Sequence, residues 1–362
     1  MSTGKQHLRR EKGRLLFAFC NVYYTRQNEA QGKEDGKGMS EHECSAVSTP
    51  EELVRAGIGR FCAALGVFDG VHLGHRSVLA RLGTMARVCS CEPVVITFSP
   101  HPKTVLDPEN APRLLIPTEV KRELLRRSGI RAVLTLPFTR ELAARSAEEF
   151  LEDIQSRSGG YLRGLCVGRR FRCGRGGEGT SDRLAAFAQA HDLVFDPVPE
   201  VRMDGETVSS SSIRQAMQSG DLEKVRRYQG RPAALYGTVE RGFGIAGTEL
   251  AAPTANLRTE YGILPPNGVY AAKAETDGKR YEAAVNIGTA PTYTGTGAGS
   301  AEVRVEVHLL DFRGDLYGKK MAVELFQKIR EERKFETPDL LKEQIARDTA
   351  EIRIILKEGA EQ

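Results

Sequence analysis

His72 and His75, in the run His72-Leu73-Gly74-His75, close a glycine-punctuated stretch that begins Gly66-Val67-Phe68-Asp69-Gly70-Val71. The chemistry open to such a group is phosphate chemistry. The stretch follows a short apolar run and leads into a helix. A helix start presents unpaired N–H groups and the positive end of the peptide dipole to an anion. Gly70 and Gly74 let the backbone come close. Two imidazoles there can donate hydrogen bonds to an α-phosphate as its charge shifts during displacement. Positioning and charge stabilisation carry such a transfer without a covalent intermediate. No Gly-Lys-Ser/Thr follows, so the stretch is not a Walker loop.

A second group lies late in the chain, at Pro253-Thr254-Ala255-Asn256. A threonine hydroxyl and an asparagine carbonyl two residues apart on an extended chain point to the same side. Both are hard oxygen donors suited to a Mg²⁺ ion that also holds ATP phosphates. Just upstream, Gly242, Gly244 and Gly247 punctuate a loop whose backbone N–H groups can wrap phosphate. Alone, such a loop is more often a plain turn.

The elements that must position these groups fall into two rhythms. From residue 60 to about 200, apolar runs at 61–65, 94–98, 132–136 and 165–167 alternate with helical stretches. Val78, Leu79, Leu82, Met85 and Ala86 form one helical stripe. Thr118 can cap a helix that Gly129 ends, Ser146 and Glu149 form a capping box, and a further helix spans about 180–191. Alternating strands and helices mean a parallel sheet with helices on both faces, with ligands at the carboxyl ends of its strands. After Arg231-Pro232 strand-like runs follow one another at 268–275, 279–287, 302–309 and 320–329. Asp277-Gly278 joins the first two as a hairpin, and Thr337-Pro338-Asp339 opens a closing helix. This is the pattern of a small antiparallel β-barrel. In the 302–309 run, Val303, Val305, Val307 and Leu309 take one face and Glu302, Arg304, Glu306 and His308 the other.

The expected division is a leader over 1–56, an α/β domain over 57–229 and a barrel domain over 230–357. The polar segment 27–43 suits disorder. It contains Met39, so a wrongly chosen start and a short regulatory tail both remain open. At 362 residues two domains are the default. With 52 basic against 48 acidic side chains, anion binding must come from local sites, not from a general nucleic-acid or membrane affinity. All seven cysteines lie at or before Cys173, in no zinc pattern, and no secretory signal precedes them. Free thiols in the cytoplasm are expected.

The string from Gly66 to His75 resembles the signature of the FMN adenylyltransferase module of prokaryotic FAD synthetases, within the nucleotidyltransferase superfamily. Thr97-Phe98-Ser99-Pro100-His101-Pro102, then Val167-Gly168 with Phe171, Arg172 and Gly174, and then Val208 to Arg214 fit the same family in order. The resemblance implies a Rossmann-like domain. It places ATP on Gly66, Phe68, Asp69, Gly74, Ser209, Ser210 and Arg214, catalysis on His72 and His75, and flavin contacts on His101 and Phe171. The sequence departs from the family at Arg169-Arg170, where the second residue is usually Asp or Asn, and at Cys173, where Phe is usual. Four arginines, at 169, 170, 172 and 175, crowd that loop. Three readings stay open: a change in how ATP or FMN is held, a weakened transferase, or a solvated surface cluster.

The second half resembles riboflavin kinase from Gly230-Arg231-Pro232 to about Arg353. The matching pieces include 253–256, Asn286-Ile287-Gly288, Glu306 to Phe312, and Ile329 to Glu332 with Phe335. The resemblance makes Glu306 the catalytic base and Thr254 and Asn256 the Mg²⁺ ligands. Gly242, Gly244 and Gly247 then hold ATP, and Asn286, Arg330 and Phe335 contact the flavin or phosphate. By pattern alone Glu306 is only a polar residue on a strand. The implied activity is FAD synthesis in two steps from riboflavin, with FMN between them, ATP as co-substrate of both and Mg²⁺ assisting. The rival is a riboflavin kinase carrying a degenerate structural or regulatory first half. No nucleic acid and no membrane are expected as partners, and oligomeric state is open.

Overall fold

The computed structural model describes residues 44–240, 254–290 and 302–358. They divide into two compact units, one of residues 44–113 and 118–210, the other of 114–117 and the described residues from 211 onward.

The first unit is a sheet of six parallel strands: β1 (Ser45–Val47), β2 (Phe61–Leu65), β3 (Glu92–Ser99), β4 (Ala132–Pro137), β5 (Leu162–Gly168) and β6 (Val194–Val198). Their order is β1-β4-β3-β2-β5-β6. The helices are α1 (Pro50–Arg55), α2 (Leu73–Val88), α3 (Pro102–Leu106), α4 (Thr118–Arg127), α5 (Arg140–Ala144), α6 (Ala147–Arg157) and α7 (Ser181–Ala190). A short hairpin, β7 (Arg202–Met203) and β8 (Glu206–Thr207), follows. All five residues of β2 are buried, the mark of a central parallel strand covered on both faces. The α2 stripe foreseen from sequence is buried in full and packs over β2, β3, β5 and β6. Helix α6 opens on the expected capping box: Ser146 Oγ accepts from Glu149 N at 3.1 Å, and Glu149 Oε2 from Ser146 N at 2.7 Å.

Several elements escaped the sequence reading. The stretch assigned to the leader supplies β1, which pairs with β4, and α1, whose Leu53 is fully buried in the core. A three-residue strand and a six-residue helix are too short to show a period. Strand β6 carries Asp196 and Pro197, and as an edge strand it tolerates both.

The strand order sets the crevice. From β2 the chain builds β3 and β4 on one side, then returns to build β5 and β6 on the other. The reversal therefore lies between β2 and β5. Ligands bind outside the carboxyl ends of strands at such a point. Residues 66–72 leave β2 there, and residues 169–180 leave β5.

The second unit comprises α8 (Ser210–Ser219), which begins at the last residue of the first unit, α9 (Leu222–Gln229), and strands β9 (Ala233–Glu240), β10 (Thr254–Tyr261), β11 (Gly268–Thr276), β12 (Lys279–Ala290), β13 (Glu302–Leu309) and β14 (Lys320–Arg330), then α10 (Pro338–Glu358). The strands close an antiparallel barrel in the order β10-β13-β12-β11-β14-β9, with β9 also bonded to β10. The division between Ser210 and Ser211 precedes the junction expected near 229–230, since α9 packs its buried Leu222, Val225 and Tyr228 beside β9 and β14. Asp277 and Gly278 make the hairpin turn with φ of 49° and 72°, the left-handed pair that a two-residue turn needs. Helix α10 lies against β11, β12 and β14. Along β13, Val305, Val307 and Leu309 are buried as expected, but Val303 is 43% exposed near the strand's start.

Candidate active sites

In the first unit the expected imidazoles meet at the head of α2. His72 is the N-cap, its Nδ1 accepting from His75 N at 3.3 Å. The two rings stack at 3.7 Å between centroids and 20° between planes, and Phe68 packs on His75 at 5.1 Å. His72 and Asp69 are both buried. A Cβ at Gly74 would lie 3.1 Å from the His72 ring and 3.2 Å from Val208 O, a tight fit that would ask these neighbours to give by a few tenths of an ångström. A Cβ at Gly66 would press on the Phe68 ring at 3.0 Å. Ser210 Oγ, at the last residue of the first unit, donates to Asp69 O at 2.8 Å. Ser209 is half-buried beside it, and Arg214 lies one helical turn further along α8, in the other unit.

The two expected flavin contacts already have structural work. His101 caps α3, its Nδ1 accepting from Lys103 N at 3.1 Å. Phe171 is half-buried against the core of the first unit. The arginine loop spreads outward. Arg170 ion-pairs with Glu200, donating through Nη2 at 2.7 Å, and also reaches Thr207 Oγ1 at 3.2 Å. Arg172 turns back to Gly177 O at 3.5 Å, and Arg169 and Arg175 are exposed. All four arginines of the loop are exposed. Lys121 is a residue that the sequence reading missed: it is buried, with Nζ donating to Val67 O at 3.3 Å.

In the second unit the strand register brings the expected polar residues into rows. Glu306 stands opposite Asn256 on one side and Asn286 on the other, and His308 stands between Thr254 and Ala284. Directly opposed residues have Cβ atoms about 5 Å apart. Thr254, Asn286, Glu306, His308, Arg330 and Phe335 line one cavity of about 270 Å³, closed on another side by Asp348 of α10. The Asn286 Oδ1 is buried there and has no hydrogen-bond partner among the described residues. A native site rarely leaves such an atom unpaired unless something else supplies the donor. Gly288, next along the same face of β12, leaves room for the Glu332 carboxylate. Arg330 is committed to Asp348 through Nε and Nη2, and Gln344 supports that carboxylate. Arg330 and Arg333 both lie over the Phe335 ring, at 5.8 and 4.6 Å. Gly242, Gly244 and Gly247 lie outside the described residues.

Around Glu306 stand a threonine hydroxyl and asparagine carbonyls, which are oxygen donors suited to Mg²⁺, and the imidazole of His308 two residues along the same strand. Mg²⁺ keeps several waters and takes phosphate oxygens as further ligands, so it needs only one or two protein donors. Among the described residues no three His, Cys, Asp or Glu side chains gather as a metal cage.

Residues 58–212 match the family model for FAD synthetase, and residues 229–356 that for riboflavin kinase. A bifunctional riboflavin kinase/FMN adenylyltransferase from Pseudomonas fluorescens is 35% identical over 299 residues, covering 82% of this chain and 94% of its own. One from Bacillus subtilis (strain 168) is 33% identical over 315 residues, covering 84% and 95%. Among solved structures, a Streptococcus pneumoniae protein described as a macrolide-efflux protein aligns with a TM-score of 0.74 at 27% identity, over 85% of this chain and 98% of that one. Among the described residues no helix is long and apolar enough to cross a membrane. With both models matched in series and relatives aligned through both halves, the chain belongs to the family of bifunctional riboflavin kinase/FMN adenylyltransferases.

Proposed function

We propose that the two units act in sequence on one flavin, each with its own ATP. In the barrel, the 5′-hydroxyl of riboflavin attacks the γ-phosphorus, its proton passes to the Glu306 carboxylate, and ADP leaves. Asn286 orients the flavin, its buried Oδ1 accepting a hydrogen bond from a flavin N–H or O–H. Phe335 offers the ring an aromatic face, and Arg330 holds Phe335 in place. Thr254 and Asn256 hold Mg²⁺, which when bound neutralises the ATP phosphates.

In the α/β unit, a phosphate oxygen of FMN attacks the α-phosphorus of the second ATP. The bond to the bridging oxygen breaks and pyrophosphate leaves. His72 and His75 donate to the α-phosphate as its charge shifts, beside the N–H groups of α2. Ser209 and Ser210, at the end of this unit, take the β- and γ-phosphates. His101 and Phe171 are placed at the flavin on the strength of the motif alone. Six described cysteines are free thiols, which supports a reducing cytoplasm as the setting.

One observation in each unit carries the reading. Stacked imidazoles stand at a helix start beside the switch point of one unit's sheet, and in the other unit the Glu306 carboxylate lines a cavity together with Asn286; both arrangements support the reading. The kinase-only alternative is not favoured, because both family models match and the bifunctional relatives align through both halves. The test is chromatography of flavins after incubation with riboflavin, Mg²⁺ and ATP. FMN and FAD are both expected; FMN without FAD would restore the kinase-only reading.

A further inference from the structure

Lys121, early in α4, is a buried cation with no part in the chemistry described above: it is 8% exposed. Its Nζ donates to Val67 O at 3.3 Å and to Thr97 Oγ1 at 3.3 Å. Thr97 Oγ1 donates to the same Val67 carbonyl at 3.1 Å. Val67 lies just past the end of β2 and Thr97 near the end of β3, two neighbouring strands of the sheet. The ammonium therefore ties the carboxyl ends of both strands together, directly behind the turn that carries the imidazoles.

Placing an ammonium there is unfavourable. Burial lowers its pKa, and the carboxylate of Asp69, on the same turn, opposes that effect. A methionine would fill the space with no charge to desolvate. What the ammonium adds is a firm hold on one carbonyl. Immediately after that carbonyl the backbone takes left-handed values at two non-glycine residues, Phe68 at φ 54° and Val71 at φ 38°. Such values are uncommon for residues with a Cβ, least of all a β-branched one, and persist only where the surroundings over-determine them.

We propose that Lys121 is a positioning residue for adenylyl transfer: by gripping the Val67 carbonyl it holds the 68–75 turn in the shape that aims its N–H groups and imidazoles at the ATP phosphates. This role rests on the adenylyltransferase reading of the first unit. It acts on ATP through the turn, so it separates ATP from FMN in the kinetics.

The test is Lys121→Met and Lys121→Arg in the full chain, with riboflavin phosphorylation by the same preparations as the control for intact protein. Lys121→Met is expected to lower kcat/KM for ATP in FMN adenylylation by about 10- to 100-fold, with the KM for FMN within about twofold of wild type. Unchanged ATP kinetics, or equal rises in both KM values, would overturn the proposal. Should the methionine variant lose the fold of its domain, Lys121→Arg decides. The longer guanidinium keeps the charge but displaces the carbonyl, so a rise in ATP KM with FMN KM unmoved supports the role, and parallel or absent changes refute it. A wild-type chain that makes no FAD would instead sink the underlying reading.

Discussion

The carboxylate of Asp348, on the closing helix, receives Arg330 Nε at 3.0 Å and Nη2 at 2.8 Å on one oxygen, while Gln344 Nε2 donates to the other at 2.6 Å. Arg330 ends β14, so this pair fastens α10 to the barrel at the wall of the cavity that Glu306 lines. The Asp348 side chain is only 7% exposed and that of Arg330 21%. Removing one partner of a buried pair strands the other charge, at a cost of about 3–5 kcal/mol. Asp348→Ala should therefore destabilise the barrel by about 3 kcal/mol and release Arg330 from Phe335. Urea unfolding followed by a barrel-specific probe, with riboflavin KM measured on the folded variant, checks both effects. A higher riboflavin KM is expected, while FAD formation from supplied FMN should stay near wild type.

The separation of the two sites allows a crossed experiment. Glu306→Gln keeps the shape of the row formed with Asn256 and Asn286 but cannot take the hydroxyl proton. Riboflavin phosphorylation should fall about 10²- to 10⁴-fold. His72→Ala removes the stacked partner of His75 and the N-cap of α2. FMN adenylylation should fall about 10²- to 10³-fold. Each variant should retain the activity of the other unit, measured by chromatography of FMN and FAD. If either lesion abolished both activities, the residue would serve the fold and not its own reaction.

Arg170 invites the opposite expectation. Its position usually holds an acidic or amide side chain in the family, yet its guanidinium is 70% exposed and engaged with Glu200. An ion pair this exposed contributes about 0–1 kcal/mol after solvent screening. Arg170→Ala should change kcat/KM for ATP or FMN by less than about threefold, since a surface pair makes no contact that strengthens in the transition state. Steady-state kinetics of FAD formation provides the check.

The strongest local patterns translated directly into structure. The α2 stripe, the Ser146–Glu149 capping box and the Asp277-Gly278 turn each depend on neighbours in the chain, so their residue types suffice. The row Asn256–Glu306–Asn286 needed the register of three strands, which alternation alone does not set. Lys121 was invisible for another reason. It lies in Thr-Glu-Val-Lys-Arg-Glu-Leu-Leu, which reads as an ordinary surface helix, and only the contact with Val67, 54 positions away, makes it an interior charge. Asp348 likewise sits among polar residues of α10, and its burial comes from β14. Charges buried by tertiary contact leave no periodic trace, whereas motif residues at helix starts do.

The remaining expectation concerns thiols. Burial pushes Cys173, in the loop after β5, up to about 11, and Cys44, before β1, also up to about 11, from an ordinary 9.0. Raised values mean that the folded chain favours the neutral thiols. Their contribution to stability is fully present below pH 9 and is lost as pH rises through 11, because unfolding then releases protons that the fold retains. Denaturation midpoints should accordingly fall between pH 9 and 11, and less so in a Cys44→Ala/Cys173→Ala variant. At neutral pH the thiolate is the reactive species and is scarce at both positions. Iodoacetamide should label them slowly in the folded protein and quickly once urea opens it. Equal labelling rates in both states would show that these thiols are not shielded as the fold requires.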